Sequence, residues 1–318
     1  MRCLPGSSAL LALLALLAVG AAPAQYDYRL APQALGNGAY VFVGALEHFT
    51  RANGGNIVNT GYIDTPAGAI VIDSGPSRLY GEQQRALIER RSGRPVARVY
   101  ITHAHPDHFF GDQAYAGVPV YALPATREAI AANGDALADN LYRLVGDAMR
   151  GTQAVAPGLP AGAGRVEVGG RALQLIALAG HTDADLAVFD ERSATLYAGD
   201  LVFHRRTPST PNADLARWLA ALDRLEMIPY KTLVPGHGPV LQGPEAIRET
   251  RDYLHWLDAM LREAAARGVD LPELAELPVP ARFGDFAVLR AELSRSAAHL
   301  YPALETQALR RLAPDVRE

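Results

Sequence analysis

The chain predicts an αββα sandwich, a mixed α/β (α+β) fold of four layers in which two sheets pack face to face with helices outside. Two observations carry this expectation. Apolar runs and helical stretches follow the order strands, helix, strand, helix, and the order recurs in the second half without recognisable sequence repetition. Strands also end repeatedly in a glycine followed by a metal-ligand type: Gly180-His181, Gly199-Asp200 and Gly236-His237. Glycine lets the backbone turn sharply there, so that the side chain faces a cleft.

Length, composition and the first residues set bounds. The 318 residues suit one large domain or two modest ones, and a formal charge of −4 with no Lys/Arg run argues against a nucleic-acid binder. Residues 1–24 read as an export signal: Arg2, an apolar run from Ala9 to Val19, and the small-residue site Ala22-Pro23-Ala24. Cleavage after Ala24 predicts a periplasmic protein with no stable membrane insertion. Cys3 is the single cysteine and lies in that segment. The mature chain then has no thiol, so His, Asp and Glu are left for any metal work.

In chain order, strands are expected at Ala39 to Gly44, Ile57 to Asp64 and Ala69 to Asp73, with a turn-rich loop holding His48 between the first two. Leu79 to Arg91 is helical and stopped by Gly93 and Pro95. Val96 to Thr102 reads as a buried strand running into His103-Ala104-His105-Pro106-Asp107-His108. Alternation lets His103 and His105 point the same way, and Pro106 turns Asp107 and His108 elsewhere, so one tight turn can serve two metal ions. A short strand covers Val118 to Leu123. Ala125 to Arg150 is helical in parts, interrupted by Gly134 and Gly146, and Ala156 to Gly164 reads as a linker.

In the second half, Val166 to Val168 and Leu173 to Leu178 form a hairpin about Gly169-Gly170, followed by Leu186 to Asp190 and Thr195 to Ala198. Asp214 to Met227 is a helix and Thr232 to Val234 a strand. A helix from Pro244 to Arg267 carries Ile247, Leu254, Leu257, Leu261 and Ala264 on one face. His255 lies off that stripe, at the surface. Phe286 to Arg311 is a last helical region, expected to cap the site or make a homodimer contact, and its His299 reads as structural. The organisation expected is a signal at 1–24, a catalytic domain at 25–243 and a C-terminal helical extension at 244–318.

The ordered motifs His-x-His-x-Asp-His, Gly-His, Gly-Asp and Gly-His, together with the early Asp73, make Ala39 to Leu241 resemble the metallo-β-lactamase-fold hydrolase superfamily. The resemblance implies that His103, His105 and His181 hold one metal, that Asp107, His108 and His237 hold a second, and that Asp200 bridges them. It implies two divalent cations, with zinc expected and iron or manganese compatible with the same donors. Such a pair, about 3.5–4 Å apart, shares a hydroxide of lowered pKa and polarises a carbonyl or phosphoryl oxygen. Asp107 is then also the catalytic residue that orients the hydroxide and passes a proton to the leaving group.

Asp200 divides the superfamily, since true β-lactamases carry Cys or Ser there, whereas Asp resembles thioesterases and lactonases. The expected activity is hydrolysis of an ester, thioester, lactone or similar small molecule. Other readings are an iron-dependent oxygenase of the same fold, a weak β-lactam hydrolase, and a non-catalytic metal-binding partner protein. The stretches at 44–49, 52–57 and 199–203 are similar to exported zinc metallohydrolases of quinoprotein relay systems, which implies a periplasmic role beside quinoprotein alcohol oxidation. Four further residues stand near the motifs. Asp73 reads as a turn-fixing or metal-supporting residue, and His48 as a loop residue over the cleft. Asp185, with Asp183, would orient His181 or form a turn. His204, with Arg205 or Arg206, would contact substrate or lie exposed in a loop.

Overall fold

A computed structural model describes residues 26–274 and 276–312. The export signal expected at 1–24 lies outside them. In the first half, β1 (Gln33–Gly36), β2 (Ala39–Phe42), β3 (Thr60–Ile63) and β4 (Ala69–Ile72) pair antiparallel in sequence order. Helix α1 (Arg78–Ser92) then crosses over, so that β5 (Val96–Tyr100) lies parallel to β4. Ser77 caps α1 by accepting from the Tyr80 N–H, and Gly93 ends it in the left-handed region. The one-turn helix α2 (Pro106–Phe109) follows, then β6 (Val120–Ala122), the long α3 (Pro124–Val145) and β7 (Leu159–Pro160), with β6 and β7 extending the parallel edge.

The second sheet is a meander of β8 (Gly164–Val168), β9 (Arg171–Leu178), β10 (Asp185–Asp190) and β11 (Thr195–Phe203). A crossover through α4 (Leu215–Glu226) then places β12 (Thr232–His237) parallel to β11, with β13 (Leu241–Gln242) at the edge. The chain closes with α5 (Glu245–Arg267), α6 (Leu271–Leu274) and α7 (Leu289–Leu312). No helix among the described residues is long and apolar enough to cross a membrane.

Alternation along the strands separates three apolar layers and so produces the sandwich. Ile70, Ile72 and Tyr100 of the first sheet meet Leu173, Leu186 and Val188 of the second. Their neighbours Ala69, Val71 and Val99 face the other way, onto Leu79 and Ile88 of α1 and Ile130 and Leu141 of α3. Ala187 and Phe189 likewise turn outward to Trp218 and Leu222 of α4 and to Leu254 and Leu257 of α5. Each large aliphatic side chain buried this way contributes about 1.5–3 kcal/mol. A one-residue slip would exchange the inner and outer sets of a whole strand, so the pattern enforces the register.

Four local expectations need correction. Helix α3 runs unbroken through Gly134, where a Cβ would stand 2.4 Å from that of Ala154. The glycine serves close packing there and does not interrupt the helix. The expected linker contains β7, paired with Tyr121 and Ala122. Residues 57–59 are not strand: Asn59 leaves the ladder and bonds the far loop described below. His255 and His299 are both exposed, as expected for the first and contrary to a structural role for the second.

Asp112, on the 3-10 turn that follows α2, is buried. Burial holds its carboxyl well above the usual 3.8, against the Ser74 hydroxyl, and the nearby Asp73 adds to the rise. Between pH 3.8 and its folded pKa the native state keeps a proton that the unfolded chain releases, so stability should fall as pH rises, by about 1.4 kcal/mol per unit. Urea unfolding at stepped pH should therefore show Asp112→Asn gaining on the wild type across that window. A constant difference would mean that Asp112 is ionised in the fold.

Candidate metal centre

Seven side chains converge at one end of the sandwich in two groups. His103, His105, His181 and Asp200 form one and Asp107, His108 and His237 the other, with the ligand atoms of each group within 4.8 Å of one another. His105 Nδ1 lies 3.0 Å from His103 Nε2 and 2.9 Å from His181 Nε2. Asp200 stands between the groups. Its Oδ2 is 3.3 Å from His181 Nε2 and 3.2 Å from His237 Nε2, and its Oδ1 is 3.1 Å from His108 Nε2. Asp107 Oδ2 is 3.4 Å from His237 Nε2 and 3.8 Å from His108 Nε2.

Parallel strand pairs bring these distant residues together. Because β4 lies beside β5, Asp73 sits next to the turn that follows β5, and its carboxylate accepts from the Thr102 N–H (2.8 Å) and hydroxyl (2.9 Å). Because β11 lies beside β12, Asp200 comes next to His237. These two residues are inside their strands rather than past the ends, since β11 bulges at Gly199 and continues to Phe203. Gly236 does something other than turn the chain: a Cβ there would fall 1.9 Å from Asp200 Oδ1. The bare α-carbon leaves room for the carboxylate.

Four of the five histidines are held by the nitrogen that faces away from the cluster. His237 Nδ1 is 2.7 Å from the Ile57 carbonyl and His108 Nδ1 is 2.8 Å from Asp73 Oδ2. Both partners only accept, so both Nδ1 atoms donate and Nε2 keeps its lone pair for the centre. His103 Nδ1 is 3.0 Å from the Thr102 oxygen, which already donates to Asp73. His105 is turned round: its Nε2 is 3.0 Å from Asn212 Oδ1, which leaves Nδ1 facing inward. His181 differs, with no hydrogen-bond partner for Nδ1 among the described residues and its ring 4.9 Å from that of Trp218.

The electrostatics suit a cation. Burial, then the other histidines, holds His103 and His181 well below 6.5, so they stay neutral donors. Burial alone would raise Asp200, but His237 and His108 outweigh it and hold the carboxyl well below its usual range. Asp107 Oδ2, His108 Nε2 and Asp200 Oδ1 are buried without a hydrogen-bond partner among the described residues. Lone pairs buried without donors are costly unless something positive binds them. His108 is the exception: burial would lower it, but Asp200, Asp73 and Asp107 hold it well above 6.5, so it carries a proton that a cation would displace. Imidazoles with two carboxylates make a donor set that fits divalent metals.

The supporting residues fall out unevenly. Asp73 both fixes its turn, at φ 60°, and orients His108. Asp185 accepts from the His181 and Thr182 N–H groups and the Thr182 hydroxyl. It therefore shapes the turn and makes no bond to the His181 ring, and burial raises its carboxyl to about 7. Asp183 is 95% exposed and touches no ligand. His204 is only partly exposed, and its Nδ1 is 2.7 Å from Glu249 of α5. His48 is half-exposed, with Nδ1 3.7 Å from Glu292 of α7. The same helix reaches buried Arg206 (3.8 Å) and bonds Thr210 through Ser296 (2.7 Å), so it packs against the segment that follows β11.

Sequence reasoning missed Asn59 and Asn212. Asn59 donates to the carbonyls of Pro235 (2.9 Å) and Gly238 (2.7 Å) and clamps the loop that carries His237. Neither asparagine has a motif around it. Thr102 could have been found, as the residue joining the buried strand to His103.

An αββα sandwich with two adjoining His/Asp clusters at one end, each able to hold a metal ion, suggests a protein of the metallohydrolase type. The chain belongs to the metallo-beta-lactamase superfamily, whose sequence model matches residues 53–237, more than half of the protein. Among curated proteins it is similar to a linear primary-alkylsulfatase of Pseudomonas sp., at 21% identity over 67% of this chain and 48% of the relative. It is also similar to a beta-lactamase-like protein 2 homolog of Caenorhabditis elegans, at 24% identity over 62% of this chain and 60% of the relative. The chain thus spans about half of the first relative and less than two thirds of the second. Similar solved structures include a metallo-beta-lactamase from Pontibacter korlensis (TM-score 0.58, 24% identity, 71% of this chain and 99% of that one). Another is a metallo-beta-lactamase from Hirschia baltica (TM-score 0.55, 18% identity, 71% and 97%). At these identities the likeness is one of fold.

Proposed function

We propose that this protein is a dinuclear metal-dependent hydrolase, with zinc as its metal, that cleaves an ester, thioester, lactone or similar bond in a small molecule. One observation carries the reading: the buried Asp200 carboxylate has one oxygen beside His108 and the other beside His181 and His237. His103, His105 and His181 would hold one cation, Asp107, His108 and His237 the other, and Asp200 both. Bound there, two divalent cations supply an activated water and a Lewis acid for the bond under attack. Asp73, Thr102, Asn212 and Ile57 hold the imidazoles in the donor tautomer and orientation. Asp107, whose Oδ2 has no hydrogen-bond partner, holds the proton taken from the attacking water and delivers it to the leaving group.

Asp200, standing where the resemblance places Cys or Ser in true β-lactamases, supports esters and thioesters ahead of β-lactams. The alkylsulfatase relative adds sulfate esters to the candidates. Residues 1–24 support export to the periplasm, and the stretches at 44–49, 52–57 and 199–203 support a role there beside quinoprotein alcohol oxidation.

The test is elemental mass spectrometry on periplasmic protein, together with a hydrolysis panel of carboxylic esters, thioesters, lactones, sulfate esters and a penicillin. About two zinc ions per chain and turnover of at least one panel class are expected. Iron with oxygen uptake would replace the hydrolase by an oxygenase. Protein without stoichiometric metal would overturn the centre itself.

A further inference from the structure

A cleft of about 460 Å³ opens beside the metal centre, between α3 and the turn that carries His181, and His105 and Ala104 form part of its wall. This is within the roughly 300–1,000 Å³ of small-molecule sites. Along α3 the wall is built from Ala125, Thr126, Ala129, Asn133, Ala136 and Leu137. These positions share one face at about 100° per residue, and Ala125 to Ala136 spans about 16 Å of helix. Small side chains leave the cleft open where leucines would have filled it. Its sides are fixed relative to each other: the Thr126 hydroxyl on α3 donates to the Ala184 carbonyl (2.9 Å), and Asp185 ties the turn from within.

The lining holds no Lys or Arg. Its one acid, Asp183, is 95% exposed and lies 3.7 Å from Arg217. Without a Lys or Arg the cleft offers a phosphate, sulfate or carboxylate no ion pair, whereas the alanine and leucine side chains of α3 give an unbranched hydrocarbon apolar surface to lie on. Its continuity with the metal centre through His105 makes the occupant part of the substrate.

We infer that this cleft receives the linear acyl or alkyl chain of the substrate, whose scissile bond then lies at the metal centre. The inference rests on the hydrolase reading and narrows it to substrates with an unbranched aliphatic tail. Each methylene buried from water is worth about threefold to fourfold in affinity. On p-nitrophenyl esters kept below micellar concentrations, kcat/KM should therefore climb by two to three orders of magnitude (about threefold per added methylene) from acetate to octanoate.

The test compares that series for the wild type, for Ala129→Trp and Ala136→Trp, which fill the cleft, and for Ala131→Trp on the opposite, exposed face of α3. Calorimetric titration of each protein with decanoate gives a second readout that needs no turnover. Metal content and circular dichroism establish that each variant is folded. The two cleft variants should lose the chain-length gain and the decanoate heat, and Ala131→Trp should keep both. Ester turnover with no dependence on chain length would overturn the cleft assignment and leave the hydrolase standing. Equal behaviour of the cleft variants and Ala131→Trp would also overturn it. Decanoate binding that only the cleft variants lose, with no turnover by any protein of these esters or of the thioester, lactone and sulfate-ester panel, would keep the cleft and sink the hydrolase.

Discussion

Replacing Asp200 by alanine is expected to strip metal from both clusters, from about two ions per chain to well under one, and to lower hydrolysis by at least about a thousandfold. The expectation follows from position. The Asp200 oxygens lie 3.1–3.3 Å from nitrogens of His108, His181 and His237, residues drawn from both groups. Without them the five imidazoles face one another with Asp107 as the remaining carboxylate among the grouped side chains. That set has too little negative charge to hold two dications in close proximity. His103→Ala should behave differently. It removes one neutral donor from the first group and leaves Asp107, His108, His237 and Asp200 for the second, so about one ion should remain. Elemental mass spectrometry beside circular dichroism separates the cases, since the β11–β12 ladder pairs through backbone atoms and survives either change. An Asp200→Ala protein that kept two ions per chain would refute the bridging role.

The layers and the cluster were legible in the sequence for different reasons. Continuous apolar runs such as Ala69-Ile70-Val71-Ile72 mark strands buried on both faces, and the two βαβ crossovers follow from helices of ordinary length between strands. The site was legible because seven ligand types follow short strands or glycines, each a local signal. What stayed hidden is long-range. Asn59 holds a loop nearly 180 positions away, and Asn212 turns the ring of His105 from 107 positions away. Nothing in the flanking residues of either asparagine reports the partner. His204 is a further case: four residues past a ligand, it has its Nδ1 engaged by Glu249, on a helix that packs against β11, a pairing its flanking residues do not report. The glycines were read rightly as necessary but partly for the wrong cause, since Gly236 leaves space for Asp200.

The largest loss of stability is expected from Asp190→Ala, at the end of the second sheet away from the metal. Asp190 closes β10, and both of its oxygens accept from Arg171 at the start of β9, from Nε at 2.7 Å and from Nη2 at 2.5 Å. The Ser193 N–H (3.1 Å) and hydroxyl also donate to the carboxylate. Arg171 is 2% exposed and Asp190 fully buried. Removing the acid strands a guanidinium that can neither reach water nor lose its proton, at a cost of about 3–5 kcal/mol. The expected result is a fall in melting temperature on the order of 10 °C. Metal content in the cold should not change, because β9 runs its whole length, roughly 25 Å, between Arg171 and the turn before His181. The pair itself need not be a net stabiliser, since desolvating two ions costs about what their attraction returns. Arg171→Met with Asp190→Leu should therefore recover most of the loss seen in Asp190→Ala. If the double variant melted as low as the single one, the hydrogen bonds from Ser193, rather than the stranded charge, would be what Asp190 supplies.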